Sequence, residues 1–172
     1  MNNSFLRGYR YLYKVTWFKF ILIMLAALAA MNLLCKIPTF FLEAKRSNPN
    51  SYGWIYPIFA CFISPLIETA CIQYLLYKIF AFFIAKKKRL FPAYVLGSSI
   101  IFGLFHLLGA DANIGWYIYR FCTGMAGGLV FSTTMYFMTR RKQYPFWSTV
   151  AVHAIANTLL ICLSLIEILL QG

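Results

Sequence analysis

The chain has 172 residues, of which 62% are hydrophobic, 19% aromatic and only 12% charged. Soluble domains are typically about 45–50% apolar and about 25% charged. A water-soluble globule of this length could not bury so much apolar surface, so the composition reads as an all-α integral membrane protein and excludes a secreted disulfide scaffold, a disordered tail and an ordinary nucleic-acid-binding domain. Sixteen Lys and Arg against four acids give a net charge of +12, which in a membrane chain marks cytoplasmic loops and anionic lipid headgroups, not a nucleic-acid partner.

A bilayer-crossing helix needs about 20 apolar residues. The sequence offers five such stretches, predicting about five transmembrane helices in a single membrane domain, 1–172. Residues 1–53 hold an N-terminal segment, the first span (Trp17–Ile37) and a polar loop at 44–53. The first span contains Ala27-Leu28-Ala29, which mimics a signal-peptide cleavage site, but its apolar run continues to Leu34, which favours a retained helix. The second, Trp54–Ala85, is too long for one straight crossing. Ser64-Pro65 within it predicts a helix start, with Ser as N-cap and Pro in the first helical position. The third, Ala93–Gly109, is short and reaches across only with little tilt. The fourth, Gly115–Thr139, opens on an aromatic cluster in which Arg120 is read as a snorkelling belt residue. The fifth, Phe146–Leu170, carries Glu167 one turn from its end, placed to pair with Arg120.

Orientation follows from the basic residues. Arg7, Arg10, Lys14 and Lys19 flank the first span, Lys86, Lys87, Lys88 and Arg89 follow the second, and Arg140, Arg141 and Lys142 follow the fourth. These eleven stand against Lys36, Lys45 and Arg46 in the alternate loops. The N-terminus is therefore expected in the cytoplasm and the C-terminus outside, in a multi-pass protein of a cell membrane. The five cysteines (Cys35, Cys61, Cys71, Cys122 and Cys162) form no C-x-x-C and lie in or beside apolar runs. They read as free thiols acting as small buried hydrophobes.

Ionisable groups at membrane depth are costly and point to function. Lys78 has a stem long enough to reach the cytoplasmic interface. Glu68, His106 and His153 have no such stem, and with Asn157 they place four polar groups on the second, third and fifth spans. A purely structural reading, helices pinned by hydrogen bonds, competes with a functional one. His153 and Asn157 are four residues apart and share a helix face, as do Phe102 and His106. By helix rise, His106 lies about 21 Å from Pro92 and His153 about 12 Å from Pro145, a difference that tilt must absorb. Ser98 and Ser99, two turns from His106, read as packing residues.

These residues carry a resemblance. Glu68-Thr69-Ala70-Cys71-Ile72-Gln73 is similar to Glu-Glu-x-x-x-Arg; Phe102-Gly103-Leu104-Phe105-His106 to Phe-x-x-x-His; and His153-Ala154-Ile155-Ala156-Asn157 to His-x-x-x-Asn. Over roughly residues 60–165 the chain resembles the CAAX prenyl endopeptidase and bacteriocin-processing (CPBP, or Abi) family of glutamic intramembrane proteases. The Gly124-Met125-Ala126-Gly127-Gly128 run resembles that family's small-residue helix, which lets neighbours approach closely. The sequence departs from the first motif at Thr69 and Gln73. Both charges of a family ion pair are replaced together, leaving no orphan charge, and the neutral pair can still hydrogen-bond.

The resemblance implies an intramembrane endopeptidase with a protease-like core at 60–165. Glu68 would be the general base on water and His106 would help hold that water. His153 and Asn157 would donate to the oxyanion, with Thr69, Gln73 and Phe102 in support. It implies a peptide or protein substrate with a membrane-associated segment, in a bilayer, and no cofactor. A catalytic zinc held by the two His and Glu68 is the rival chemistry, but there is no H-E-x-x-H and it leaves Asn157 without a role. Outside proteolysis, a non-catalytic relative (an immunity or scaffold protein binding a peptide in the same cavity) and a small proton-coupled carrier are the alternatives. The carrier reading lacks the inverted repeat or paired broken helices it would need. The small size favours a bacterial plasma membrane.

Overall fold

The computed structural model describes residues 3–42, 55–84, 87–108 and 113–171. The polar loop at 44–53 and the loop at Asp111 lie outside these residues, as does the side chain of Glu167. All the regular structure described is helical.

A short amphipathic helix, α1 (Asn3–Lys14), is followed by a break at Val15-Thr16 and the apolar helix α2 (Trp17–Leu42). The next rod, α3, runs through residues 55–83 without interruption. Then come α4 (Lys87–Phe105), α5 (Ile114–Arg141) and α6 (Pro145–Gln171). Three stretches are long and apolar enough to cross a membrane: Trp17–Ile37, Phe59–Phe83 and Pro145–Ile166; Arg89–Phe105 is a shorter apolar helix.

Helix α5 is the hub and packs against α2, α4 and α6. Its small residues explain the intimacy of the α4 contact. A Cβ on Gly128 would stand 2.6 Å from the Ser99 Cα, and one on Gly124 would stand 3.0 Å from both the Gly103 Cα and the His106 Cγ. Only a hydrogen in place of a side chain lets the two backbones meet there. Below this seam Phe20, Tyr94, Met135, Phe137 and Met138 are buried almost completely. Ser98 and Ser99 are fully buried in the α4 packing face, as read from the sequence.

Three expectations are corrected. Ser64 does not cap a new helix: its neighbour Ile63 is itself helical, with φ −75° and ψ −49°, and no side chain caps there. The rod tolerates Pro65 because the wide π-turn before it changes the hydrogen-bond register. Helix α4 also ends at Phe105, so His106 opens the closing turn instead of sitting inside a span. There the bonds tighten, with Leu107 N–H reaching Leu104 O at 3.0 Å and Leu108 N–H reaching Phe105 O at 3.2 Å, a common way for a helix end to satisfy its last carbonyls. Finally, the cysteines are free, but Cys71 and Cys162 face outward and only Cys61 is buried.

Candidate active site

Glu68 sits where α3 changes its winding. Residues Phe59–Ile63 and Thr69–Tyr74 are π-helical and flank the short α-helical piece Ser64–Glu68. In the first wide turn the Ser64 N–H bonds to Phe59 O, five residues back. The next donor in that register would serve the Ala60 carbonyl, but it is Pro65, which has no N–H. The freed carbonyl accepts instead from Asn157 Nδ2 of α6 at 2.7 Å. One proline thus creates the acceptor that ties α6 beside the carboxylate. Interruptions of this kind concentrate at functional positions.

The Glu68 carboxylate is asymmetric. Oε1 accepts a hydrogen bond from the Ser64 hydroxyl, one turn earlier. Oε2 is buried without a hydrogen-bond partner and lies 3.6 Å from His153 Nε2. His153 is only 3% exposed. Its ring stacks on Phe131, with centroids 4.1 Å apart, and meets the edge of Phe102 at 5.8 Å. Two aromatic walls therefore fix the imidazole plane without engaging its nitrogens, and Nδ1 makes no hydrogen bond to the described protein atoms.

His106 is held differently. Its Nδ1 is 2.9 Å from the Phe102 carbonyl, and its ring lies 4.5 Å from the Phe102 ring. A carbonyl can only accept, so Nδ1 carries the proton of the neutral ring and Nε2 is left as an acceptor. Gly124 leaves just enough room behind this ring.

Glu68, His106, His153 and Asn157 line one cavity of about 430 Å³, together with Ser64 and Arg120. The two histidines and Asn157 also border a second space of about 210 Å³, reached from the α2 side past Asn32 and Lys36. Among the described residues, no three His, Cys, Asp or Glu side chains are arranged to hold a metal ion.

The four polar residues singled out from the sequence thus converge. Phe102, buried at 2% exposure, is the anvil on which both imidazoles rest. Thr69 and Gln73 do not join them. Both are fully buried, and neither Thr69 Oγ1 nor the Gln73 amide has a hydrogen-bond partner, so the bond open to this pair is not made. The cause is the second wide turn, which pairs each residue with the fifth along and unstacks positions four apart. Arg120 is half-buried in the cavity wall. The register held the signal. Arg120, Gly124, Gly127 and Phe131 recur at helical spacing on one face of α5, and the last three touch α4 or His153.

The class defined by fold and site is an all-helical membrane bundle with a carboxylate, two imidazoles and a carboxamide around one cavity. Residues 49–159 match the Type II CAAX prenyl endopeptidase Rce1-like family, and the chain belongs to that family. The match begins before α3 and ends two residues past Asn157, so it contains all three motifs. Neither a curated protein nor a solved structure matches the chain.

Proposed function

We propose that this chain is a glutamic intramembrane endopeptidase that cleaves a peptide bond in a membrane-associated peptide or protein tail. The observation that carries the reading is the unpartnered Glu68 Oε2, 3.6 Å from His153 Nε2 and in a cavity shared with His106 and Asn157. A water in that cavity would be deprotonated by Glu68 Oε2 while the lone pair on His106 Nε2 accepts its other hydrogen. Attack on the scissile carbonyl builds negative charge on its oxygen. His153, whose Nε2 is just too far from Glu68 to be committed to it, and the remaining N–H of Asn157 would donate to that oxygen. Glu68 then returns its proton to the departing amine, so the carboxylate is regenerated with every turnover.

The proposal takes the chain to cross the membrane five times, with its N-terminus in the cytoplasm and 60–165 as the catalytic core, in a bacterial plasma membrane. It uses no metal. Purified wild-type protein in lipid nanodiscs should cut an S-farnesylated peptide in the presence of a chelator, and Glu68→Gln should not. Equal cutting by Glu68→Gln would overturn the assignment. A cellular function that survives this substitution would support the non-catalytic alternative, an immunity or scaffold role.

A further inference from the structure

Arg120 is the one strongly charged group in the cavity that the proposed chemistry does not use. It projects from the face of α5 that carries Trp116 and Thr123, which are four residues before it and three after it and line the same space. It lines the same cavity as the His106 ring. Among the described side chains Glu68 is the one carboxylate; its Oε1 accepts from Ser64 and its Oε2 lies 3.6 Å from His153 Nε2, so it is not engaged with Arg120. Half-buried in the cavity wall, the guanidinium is placed to meet an anion that enters the cavity. Its planar fork of donors matches a carboxylate in bidentate fashion. The neighbouring rings of Trp116 and Tyr119, with centroids 5.4 Å apart, add an apolar wall beside it.

We propose that Arg120 is a specificity-determining residue that binds a carboxylate of the substrate peptide close to the scissile bond. This rests on the endopeptidase reading and adds the substrate feature that it leaves open. The carboxylate has two sources, the free C-terminus of a short tail or an acidic side chain, and both present the same two oxygens. The anion would lock the peptide in one direction across Glu68, so that the bond presented to the base is set by its distance from the charge.

The test uses the full chain in phosphatidylcholine nanodiscs and three peptides that share an S-farnesylated cysteine followed by three apolar residues. One is the free acid, one the C-terminal amide, and one the amide with Glu as its last residue. Wild type should prefer at least one carboxylate peptide over the plain amide by roughly 10–100-fold in kcat/KM, the range expected of a charged hydrogen-bonded pair. The peptide preferred identifies the source. Arg120→Gln should collapse the ratio towards one, and Arg120→Lys should restore part of it. An unchanged ratio in Arg120→Gln, or no preference in wild type, would overturn the proposal, whereas a merely structural residue would lower all three rates together. If wild type cuts none of the peptides, the endopeptidase reading fails, and the carboxylate site is judged by binding of the same peptides, labelled, through fluorescence anisotropy. A preference lost in Arg120→Gln supports the site; equal binding, or none, overturns it.

Discussion

The two ends of the bundle are built on opposite rules. At one end Arg141, closing α5, donates from Nη2 to Val15 O at 2.6 Å and from Nη1 to Leu12 O at 3.2 Å, and lies over the Phe20 ring at 5.6 Å. Trp17 Nε1 donates to the Ser148 hydroxyl at 2.8 Å, and Tyr94 donates to Gln73 O at 2.8 Å. Aromatic rings fill the space between. At the other end Glu68 Oε2 and His153 Nδ1 are buried with no bond to spend on stability, and a cavity takes the place of packing. Helix α5 runs through both, dense over 130–138 and lining the cavity at 116–123. The contrast lies in the bonding of the charged groups and not in empty space, because a cavity of about 610 Å³ also opens beside Arg141 and Gln143: Arg141 is tied to the backbone of its neighbours, whereas Glu68 Oε2 is left without a hydrogen bond.

Substitutions at the open end should therefore change activity first. The largest effect is expected from Glu68→Gln, which removes the base and should cut kcat/KM by on the order of 10²–10⁴ while the thermal midpoint holds or rises. Asn157→Ala follows, at roughly 10²–10³-fold. It should also lower stability by about 1–3 kcal/mol, because the Ala60 carbonyl loses its donor. Pro65→Ala sharpens the cause: an N–H restored at 65 competes for Ala60 O, and infrared or exchange measurements on the Asn157 amide would register its release. Gly124→Ala presses on the His106 ring and should cost roughly 10²-fold in kcat, as misplacement of a reacting group does.

At the seam and the closed end the order reverses. Gly128→Ala meets backbone at Ser99 and should cost about 1–3 kcal/mol in unfolding assays, with kcat/KM retained in the folded fraction. Arg141→Gln strips charged hydrogen bonds and should cost about 1.5–3 kcal/mol. Trp17→Phe, which loses one hydrogen bond, should cost only about 1 kcal/mol. A large loss of kcat from Arg141→Gln would show that the two ends are not independent.

Much of this division was legible in the sequence. Apolar runs gave the helices, and the scarcity of ionisable groups at depth singled out Glu68, His106, His153 and Asn157, because each is too expensive to keep without use. The winding of α3 was not legible. Ser64-Pro65 carries the composition of a helix start, and only the register set up by residues 59–63 shows why a proline there interrupts nothing. The same blind spot produced the Thr69–Gln73 bond, which assumes regular winding. Arg120 was legible in two ways: its aromatic neighbours match an interfacial belt, while the glycine spacing along α5 sets it on the face that lines the cavity.

The two wide turns have a genetic consequence. Each holds one residue of slack, and the segment beyond the second is anchored by Tyr77 and Phe80 against Tyr94. Deleting a single codon at Ala70 or Cys71 would take up that slack and return the rod to even pitch. Both flanks would keep their faces, so Glu68 would stay on the cavity side; the same deletion at Leu75 or Leu76, in regular turns that hold no slack, would turn Glu68 by about 100° away from the cavity with no motif letter altered. Under the proposed chemistry the product of this second deletion would be folded and inactive, separable from wild type by turnover but not by its circular dichroism. The aim of the carboxylate is thus set by a count of residues as much as by their identity.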